Sequence, residues 1–450
     1  ITASHNPPAY NGYKVYWSDG GQIVPPCDEQ IISAIGAVSD YSLIRRIPEE
    51  EARTRGLLVN IGREMDDKYL RELKKLVLRP DVVRDVGKKL KIVYTPLHGT
   101  GNVPVRRVLA ELGFEQVFVV PEQEAPDGNF PTVEYPNPEE KGAFRLALEL
   151  AEKVGADLVL ATDPDADRLG VYCRTKEGDY VPFTGNMSGL LIADYVLSAR
   201  REQGLLPERP SDGALVTTIV SSDMARPVAA EYGLSVIETL TGFKYIGEQI
   251  RLFERARAAN AGRPDAAKGA YVFEFGFEES YGCLVGTYAR DKDAVMAVVS
   301  LCEAAAYYAG QGMTLWDAML AMYEKYGYYA EDLACLTLRG ADGAEKIARM
   351  MTDLRNDPPA EVGGRRICAL RDYRRGVRRD VVTGQETPLE LPASNVLYFE
   401  LDGNGWCCVR PSGTEPKIKF YFGVKGSSLA DAGAQLGALK EAFLQLFRED

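Results

Sequence analysis

The sequence lacks the features that mark several large classes of protein. No apolar run approaches the roughly 20 residues that a membrane-spanning helix needs, and no signal peptide is visible. Positive charge is in deficit, because 53 Lys and Arg residues stand against 65 Asp and Glu residues, for a net charge of −12. This acidic balance argues against a nucleic-acid partner. An anionic substrate would therefore have to be held by a local cluster of cations.

Cysteine and histidine are also scarce. The eight cysteines are scattered, only Cys407 and Cys408 are adjacent, and no pair has the Cys-x-x-Cys spacing of a thiolate metal site. We therefore expect reduced thiols and a cytoplasmic protein with no membrane partner. The only histidines are His5 and His98.

The chain of 450 residues is too long for one ordinary core and suggests about three to four domains of ~100–150 residues. Alternating strand and helix patterns indicate α/β units with parallel strands. A catalytic loop near residue 4 would lack the strands that normally support it, so we expect the N-terminal segment to be missing. The predicted domains are 1–86, 87–184, 185–319 and 320–450.

Several local elements follow from pattern alone. We predict a short strand at Lys14–Trp17 and a helix at Asp28–Val38 in which Asp28 is the N-cap. A buried strand is predicted at Asp157–Ala161. A hairpin is predicted around Asp402–Gly405.

The first functional candidate is the opening stretch, where Ser4 is a candidate nucleophile on a loop. A serine hydroxyl needs a base, a charge or a metal beside it to react. His5 and Lys14 are the candidate proton carriers. Taken alone, this stretch fits an ordinary polar loop equally well.

The second candidate is an acidic loop directly after the predicted buried strand, where Asp163, Asp165 and Asp167 alternate before Arg168. Three clustered carboxylates repel unless a hard cation binds them, and Mg²⁺ is the usual partner where a phosphate is also present. An EF-hand would require Gly at the sixth position of the loop, where Arg168 stands. Arg168 could hold a phosphate oxygen beside the metal.

Two further stretches have the chemistry of sugar and phosphate binding. Glu278 and Ser280 lie on a loop bracketed by glycines and could hydrogen-bond to vicinal sugar hydroxyls. Near the C-terminus, Arg, hydroxyl, glycine and lysine residues form a candidate phosphate cradle, which comprises Arg410, Ser412, Gly413, Thr414 and Lys419. Each stretch also has a plain interpretation as a charged surface turn.

Together the four stretches resemble the α-D-phosphohexomutase family, which includes phosphoglucomutase and phosphomannomutase. The sequence of the stretch Gly276–Gly282 looks most like that of bacterial phosphoglucomutases and of the phosphopentomutase branch. They occur in the family's order and span the chain: the phosphoserine loop, the metal loop, the sugar-binding loop and the phosphate-binding loop. The matching residues are Thr2–Pro7, Asp163–Arg168, Gly276–Ser280 and Arg410–Pro416.

The resemblance implies an α/β multi-domain fold: three similar α/β units with mixed sheets and a smaller C-terminal α+β domain, arranged around a central cleft. It implies that Ser4 is carried as phosphoserine, whose phosphate joins the three aspartates as a Mg²⁺ ligand. Lys14 matches the position of a proton-transfer lysine in the family, His5 matches the histidine after the serine, and Arg168 is the last residue of the metal loop. Lys244 and Lys419 are further substrate-binding candidates.

The implied activity is a phosphosugar mutase that converts glucose 1-phosphate into glucose 6-phosphate through a sugar bisphosphate, with glucose 1,6-bisphosphate as activator and intermediate. Some family members follow the sugar-loop serine with Gly-His, where this chain has Tyr281-Gly282. This difference disfavours a phosphomannomutase or a phosphoglucosamine mutase. The open alternatives are a phosphopentomutase, phosphomannomutase activity or a mutase of mixed hexose specificity, a non-catalytic sugar-phosphate sensor, and a phosphatase.

Overall fold

The computed structural model describes residues 1–260, 269–338, 342–412 and 417–447. The chain divides into two compact units. The first unit contains Ile1–Ala214 and Gly242–Trp316, and the second contains Leu215–Thr241 and Asp317–Asp450. Gly413 and Thr414, two of the predicted phosphate-binding residues, lie outside the described residues.

The N-terminal part of the first unit is helical and differs from two predictions. The expected strand at Lys14–Trp17 is only an isolated antiparallel bridge between Tyr16 and Gln22. Asp28 is not an N-cap, because the helix begins one residue earlier and Pro26 occupies the capping position. Asp28 instead lies in the first turn, where a carboxylate still favours the helix N-terminus. The helices of this part are α1 (Cys27–Gly36), α2 (Glu49–Thr54), α3 (Arg63–Lys75) and α4 (Pro80–Asp85).

A mixed five-stranded sheet follows and positions the acidic loop. Its elements are β1 (Lys91–Thr95), α5 (Asn102–Leu112), β2 (Gln116–Val119), α6 (Pro121–Glu124), α7 (Arg145–Val154), β3 (Leu158–Thr162), β4 (Leu169–Arg174) and β5 (Tyr180–Phe183). The strand order is β2-β1-β3-β4-β5. β1 pairs in parallel with β2 and with β3, as predicted, whereas β3–β4 and β4–β5 are antiparallel.

The local sequence explains how these elements end. α5 and α7 both stop at a glycine with left-handed backbone, Gly113 (φ 102°) and Gly155 (φ 64°), a conformation that glycine adopts without a steric penalty. All five residues of β3 are buried. The apolar run of β3 therefore delivers the acidic loop from the centre of the sheet to its carboxyl edge, where α/β folds bind ligands.

The middle of the chain continues with α8 (Gly185–Glu202), β6 (Gly213–Thr218), α9 (Ala225–Glu231), β7 (Ser235–Thr239), α10 (Phe243–Ala259), β8 (Val272–Glu278), β9 (Gly282–Val285), α11 (Ala294–Ala309) and α12 (Leu315–Tyr326). β8 and β9 form an antiparallel hairpin within the first unit. α11 is buried from Ala294 to Ala306, so it is a core helix and its N-terminal end is held firmly in place.

The second unit is built on an antiparallel sheet whose order is β10-β17-β16-β15-β12-β13-β14, with β11 paired to β12. Its elements are β10 (Tyr328–Thr337), α13 (Asp342–Asn356), β11 (Glu361–Val362), β12 (Arg365–Asp372), β13 (Val377–Asp380), β14 (Glu386–Pro388), β15 (Leu397–Leu401), β16 (Gly405–Pro411), β17 (Lys417–Gly426) and α14 (Leu429–Gln445). The predicted hairpin is confirmed, because β15 and β16 pair antiparallel around Asp402–Asn404.

The two sheets have separate apolar cores. Residues such as Val159 and Phe144 fill the core of the five-stranded sheet, and Phe399, Phe420 and Phe443 are central to the core of the second unit. Among the described residues, no helix combines the length and the apolar composition that crossing a bilayer requires.

Candidate active site

The acidic loop is shaped by hydrogen bonds to its own first carboxylate. Asp163 is fully buried, and its Oδ1 accepts the backbone N–H groups of Asp167 and Arg168, both at 3.0 Å. Ala166 has a left-handed backbone with φ 56°. The loop therefore turns back on itself, and ligand oxygens of Asp163, Asp165 and Asp167 all lie within 4.8 Å of one another.

The neighbouring parallel strand supplies a second loop that supports the first. After β1, the N–H and the hydroxyl of Thr100 both donate to the Pro164 carbonyl, at 2.8 and 2.9 Å. Gly99 is required here, because a Cβ would lie 2.4 Å from the Cα of Pro164. The carboxyl ends of two parallel strands thus meet, and one holds the backbone of the other's acidic loop.

Ser4 reaches the same site from the N-terminal segment. Its backbone is left-handed, with φ 55°, and its N–H donates to Thr2 Oγ1 at 2.8 Å. The Ser4 hydroxyl donates to Asp163 Oδ2 at 2.9 Å, and its Oγ lies 3.1 Å from His5 Nδ1. A strained backbone at a non-glycine residue is common where a side chain must be aimed at a site. The predicted nucleophile and the predicted metal loop therefore touch.

Three cationic side chains surround the carboxylates. Lys14 Nζ lies 2.9 Å from Asp165 Oδ2 and 3.1 Å from Asp167 Oδ2. Lys292 Nζ lies 2.8 Å from the same Asp167 oxygen. The Arg168 guanidinium donates to Glu139 Oε1 at 2.8 Å, and its Nε stays 3.8 Å from Asp167 Oδ1. Ion pairing therefore offsets part of the clustered negative charge.

Burial and these charges shift the pKa values of the carboxyl groups in opposite directions. Burial, followed by the charges of Asp167 and Asp165, raises the pKa of Asp163 well above its usual range. Burial also opposes ionisation of Asp167, but Lys292, Lys14 and Arg168 lower its pKa to about 2. Burial disfavours the charged form of Lys14 as well, yet attraction to Asp167 and Asp165 outweighs it and raises the Lys14 pKa. Neighbouring charges thus overcome desolvation at Asp167 and Lys14 but add to it at Asp163.

The donor set fits a hard metal ion. Two buried carboxylate oxygens, Asp165 Oδ1 and Asp167 Oδ1, have no hydrogen-bond partner in the described part of the chain. Buried charged oxygens normally have a partner, and an exception indicates an ion or a water at that point. Three convergent carboxylates, two of them with an unpaired oxygen, are ligands that Mg²⁺ and similar ions prefer. The buried aspartate triad can therefore hold a metal ion.

The predicted sugar-binding loop lies beside this site. Glu278 is the last residue of β8 and is buried, and its burial is the main cause that raises its pKa to about 7. The Leu169 N–H donates to the Tyr281 carbonyl at 3.0 Å, which joins this loop to the start of β4. A Cβ on Gly282 would lie 3.0 Å from Glu278 Oε1 and 2.3 Å from Lys292 Cδ. Ser280, the other predicted sugar ligand, is half-buried in the same turn.

The remaining predicted residues have other surroundings. Lys244, in the first turn of α10, forms an ion pair with Asp28 at 3.2 Å. In the second unit, Arg410 on β16 lies opposite Lys419 on β17, and the Ser412 N–H donates to the Lys417 carbonyl at 2.7 Å. Arg410, Ser412 and Lys419 are therefore grouped at one end of the β16–β17 pair.

Sequence reasoning missed two charged residues of the site, Lys292 and Glu139. Lys292 belongs to the run Arg290–Asp293, a densely charged stretch just before a buried helix, which could have been recognised as unusual. Glu139 follows Pro138 in a loop with no distinctive pattern. Only the tertiary structure brings Glu139 to Arg168.

Comparison with known proteins identifies relatives of every part of the chain. Four family profiles match: phosphoglucomutase/phosphomannomutase alpha/beta/alpha domain I at residues 1–42, domain II at 67–178, domain III at 184–326, and the C-terminal domain at 377–436. A phosphoglucomutase from Staphylococcus saprophyticus is 34% identical over 97% of this chain and 75% of its own. A Haemophilus influenzae protein described as a probable phosphomannomutase is 35% identical over 100% of this chain and 82% of its own.

A comparison with solved structures finds a similar fold. The crystal structure of a Thermus thermophilus protein matches 99% of this chain and 77% of its own, with a TM-score of 0.65 at 20% identity. The predicted multi-domain α/β architecture with mixed sheets is confirmed. The chain therefore belongs to the phosphoglucomutase/phosphomannomutase family of phosphosugar mutases.

Proposed function

We propose that this enzyme interconverts glucose 1-phosphate and glucose 6-phosphate through a phosphoserine at Ser4 and a glucose bisphosphate intermediate. The observation that supports this most directly is the contact between the Ser4 hydroxyl and the carboxylate triad, 2.9 Å from Ser4 Oγ to Asp163 Oδ2. A phosphoryl group on this oxygen would lie next to the three carboxylates. The similarity to a phosphoglucomutase over most of the chain supports glucose as the sugar.

Asp163, Asp165 and Asp167 are the residues that would hold Mg²⁺, together with an oxygen of the Ser4 phosphate. When bound, Mg²⁺ supplies a Lewis acid that offsets the charge on the transferring phosphoryl group. Lys14 and Lys292 already contact the triad, and we assign them the same electrostatic task from the protein side. Arg168 is positioned by Glu139 and is assigned to a phosphate oxygen.

The transfer exchanges one phosphorus–oxygen bond for another. The bond between phosphorus and Ser4 Oγ breaks while a bond to the sugar hydroxyl oxygen forms, so the sugar monophosphate becomes a bisphosphate. The proton lost by the sugar hydroxyl is balanced by the proton gained at Ser4 Oγ, beside which His5 Nδ1 lies at 3.1 Å. Return of the other phosphoryl group to Ser4 reverses these changes and completes the isomerisation without ATP.

The sugar and its unreactive phosphate need separate contacts. We assign Glu278 and Ser280 to sugar hydroxyls and Lys244 to substrate, and Arg410, Ser412, Gly413, Thr414 and Lys419 to the unreactive phosphate. No cysteine among the described residues is in a disulfide bond, which supports our proposal that the enzyme works in the reducing cytoplasm.

A coupled assay tests this proposal. The purified protein would be given glucose 1-phosphate, Mg²⁺ and a trace of glucose 1,6-bisphosphate, and glucose 6-phosphate would be followed through a dehydrogenase. We expect turnover that EDTA abolishes and that Ser4→Ala lowers by at least about 1,000-fold. Ser198→Ala, which removes a surface hydroxyl that donates to Glu202, is the matched control and should keep full activity.

The outcomes separate the alternatives. Faster turnover of mannose 1-phosphate than of glucose 1-phosphate would reassign the sugar, as the similarity to the Haemophilus influenzae protein allows. Release of inorganic phosphate without isomerisation would indicate a phosphatase. Substantial mutase activity in Ser4→Ala would overturn the phosphoserine mechanism.

A further inference from the structure

Two tyrosine hydroxyls converge on one carboxylate next to Lys292. Tyr69 on α3 donates to Asp293 Oδ2 at 2.6 Å, and Tyr288 donates to the same oxygen at 2.5 Å. The two rings lie 6.4 Å apart. Asp293 is 8% exposed, so these hydrogen bonds form in a largely buried setting where an unpaired carboxylate oxygen would be costly.

The other oxygen of Asp293 begins a core helix. Asp293 Oδ1 accepts the N–H groups of Val295 and Met296, at 2.8 and 3.1 Å, and so caps the N-terminus of α11. A capping residue needs only one oxygen for this purpose. The second oxygen, Oδ2, is not needed for capping and accepts the hydrogen bonds of the two tyrosine hydroxyls.

The backbone on either side of Asp293 is tied to the active-site loops. The Asp293 N–H donates to the Cys283 carbonyl in β9 at 3.0 Å, and the Ala294 N–H donates to the Ala166 carbonyl inside the acidic loop at 3.1 Å. Lys292, the residue just before, lies close against Gly282, where any side chain would meet its stem. The stem of Lys292 therefore packs against Gly282 directly beside the tethered backbone of Asp293.

We propose that Tyr69, Tyr288 and Asp293 are positioning residues that hold the Lys292 ammonium group on Asp167. In this proposal the two hydroxyls fix the orientation of the Asp293 carboxylate, and the carboxylate fixes the position of the first turn of α11. The position of that turn in turn fixes the position of the Lys292 backbone and of the Ala166 carbonyl. This inference rests on the proposed function for its effect on catalysis, whereas its structural part is independent of the substrate.

Removing only the hydroxyls tests the proposal. In the Tyr69→Phe/Tyr288→Phe double variant we expect kcat to fall about 10-fold, since small displacements of catalytic groups are costly. KM for glucose 1-phosphate should stay near its wild-type value. Tyr69→Phe alone, with a smaller loss, serves if the double variant folds poorly. Tyr180→Phe is the matched control, because its hydroxyl proton is also hydrogen-bonded, shared between the carbonyls of Ala151 and Ala156, but the hydroxyl has no hydrogen bond to a residue of the site.

Hydrogen exchange gives a readout that does not depend on activity. Peptides that cover 290–296 and 163–168 should exchange faster in the double variant than in wild type and in Tyr180→Phe. If the wild-type protein is active, the proposal requires that the double variant show both the loss of kcat and the faster exchange. The absence of either effect overturns the proposal. If wild type turns over neither glucose nor mannose phosphate, the proposed function fails, and the exchange result alone decides whether the tyrosines hold this segment.

Discussion

The two units of the chain each contain a cluster of carboxylates and cations, and the clusters differ in how completely they are satisfied. In the second unit, Glu400 accepts hydrogen bonds from Arg371 at 2.6 Å and from two nitrogens of Arg378 at 3.0 and 2.6 Å. Both of its oxygens are therefore paired. In the first unit, Asp165 and Asp167 each keep one buried oxygen without a hydrogen-bond partner among the described residues.

The pKa shifts follow the same division. Burial acts against ionisation of Glu400, but hydrogen bonds from Arg378 and Arg371 lower its pKa. At Asp163, burial and two neighbouring carboxylates raise the pKa. The hydrogen bonds of the Glu400 carboxylate are all formed within the folded chain, and they stabilise the second unit. The aspartate triad keeps two buried oxygens without a hydrogen-bond donor among the described residues, which is the condition of a site that can bind a cation.

Of the changes that compare the two clusters, Asp165→Asn should have the largest effect, because it removes a charge and a candidate metal ligand without changing the shape of the side chain. We expect mutase activity to fall by at least about 100-fold, while the free energy of unfolding without metal changes little because repulsion inside the triad is relieved. The coupled assay and urea unfolding would measure the two quantities. Activity near the wild-type level would place the metal elsewhere.

Addition of Mg²⁺ should stabilise the protein only through the triad. At 100 times its dissociation constant, a ligand that binds only the native state adds about 2.7 kcal/mol. We therefore expect Mg²⁺ to raise the melting temperature of wild type, EDTA to reverse the rise, and Asp165→Asn to show none at the same concentration. An equal rise in both proteins would contradict the assignment.

Glu400→Gln should show the reverse behaviour, with a loss of stability and no loss of chemistry. Because Glu400 is partly shielded and holds two arginines, we expect the free energy of unfolding to fall by about 1–2 kcal/mol. The control Glu386→Gln, at an exposed ion pair 3.6 Å from Arg375, should have almost no effect. A large drop in kcat in Glu400→Gln would remove the distinction between the clusters.

The smallest effect is the pH dependence of that stabilisation. The folded-state pKa of Glu400 is lowered, so its contribution is fully present above the unfolded value of about 4.3 and disappears as the pH falls through the lower folded value. The difference in unfolding free energy between wild type and Glu400→Gln should be constant from about pH 7 to about pH 5.5 and shrink below. A difference that grew on acidification would contradict the assigned shift.

Predictions made along the chain succeeded where they depended on local pattern. The apolar run of β3, the parallel pairing of β1 with its neighbours and the β15–β16 hairpin are confirmed, because each depends on residues close in sequence or on a handedness rule. The strand at Lys14–Trp17 and the Asp28 cap were wrong. Both lie in the N-terminal segment, where side chains such as Asp28 are used in distant ion pairs and local propensity is overridden.

Sequence alone determined the chemistry, because the spacing of Asp163, Asp165 and Asp167 after a buried run leaves few alternatives to a cation. Tertiary structure alone decided which residues complete the site. Ser4 and Asp163 are 159 positions apart and meet at 2.9 Å. Lys292 reaches Asp167 from a position two residues before the buried helix α11, which begins at Ala294. Residue types carry reactivity, but charge neutralisation depends on distance, and only folding sets the distances between segments so far apart in the chain.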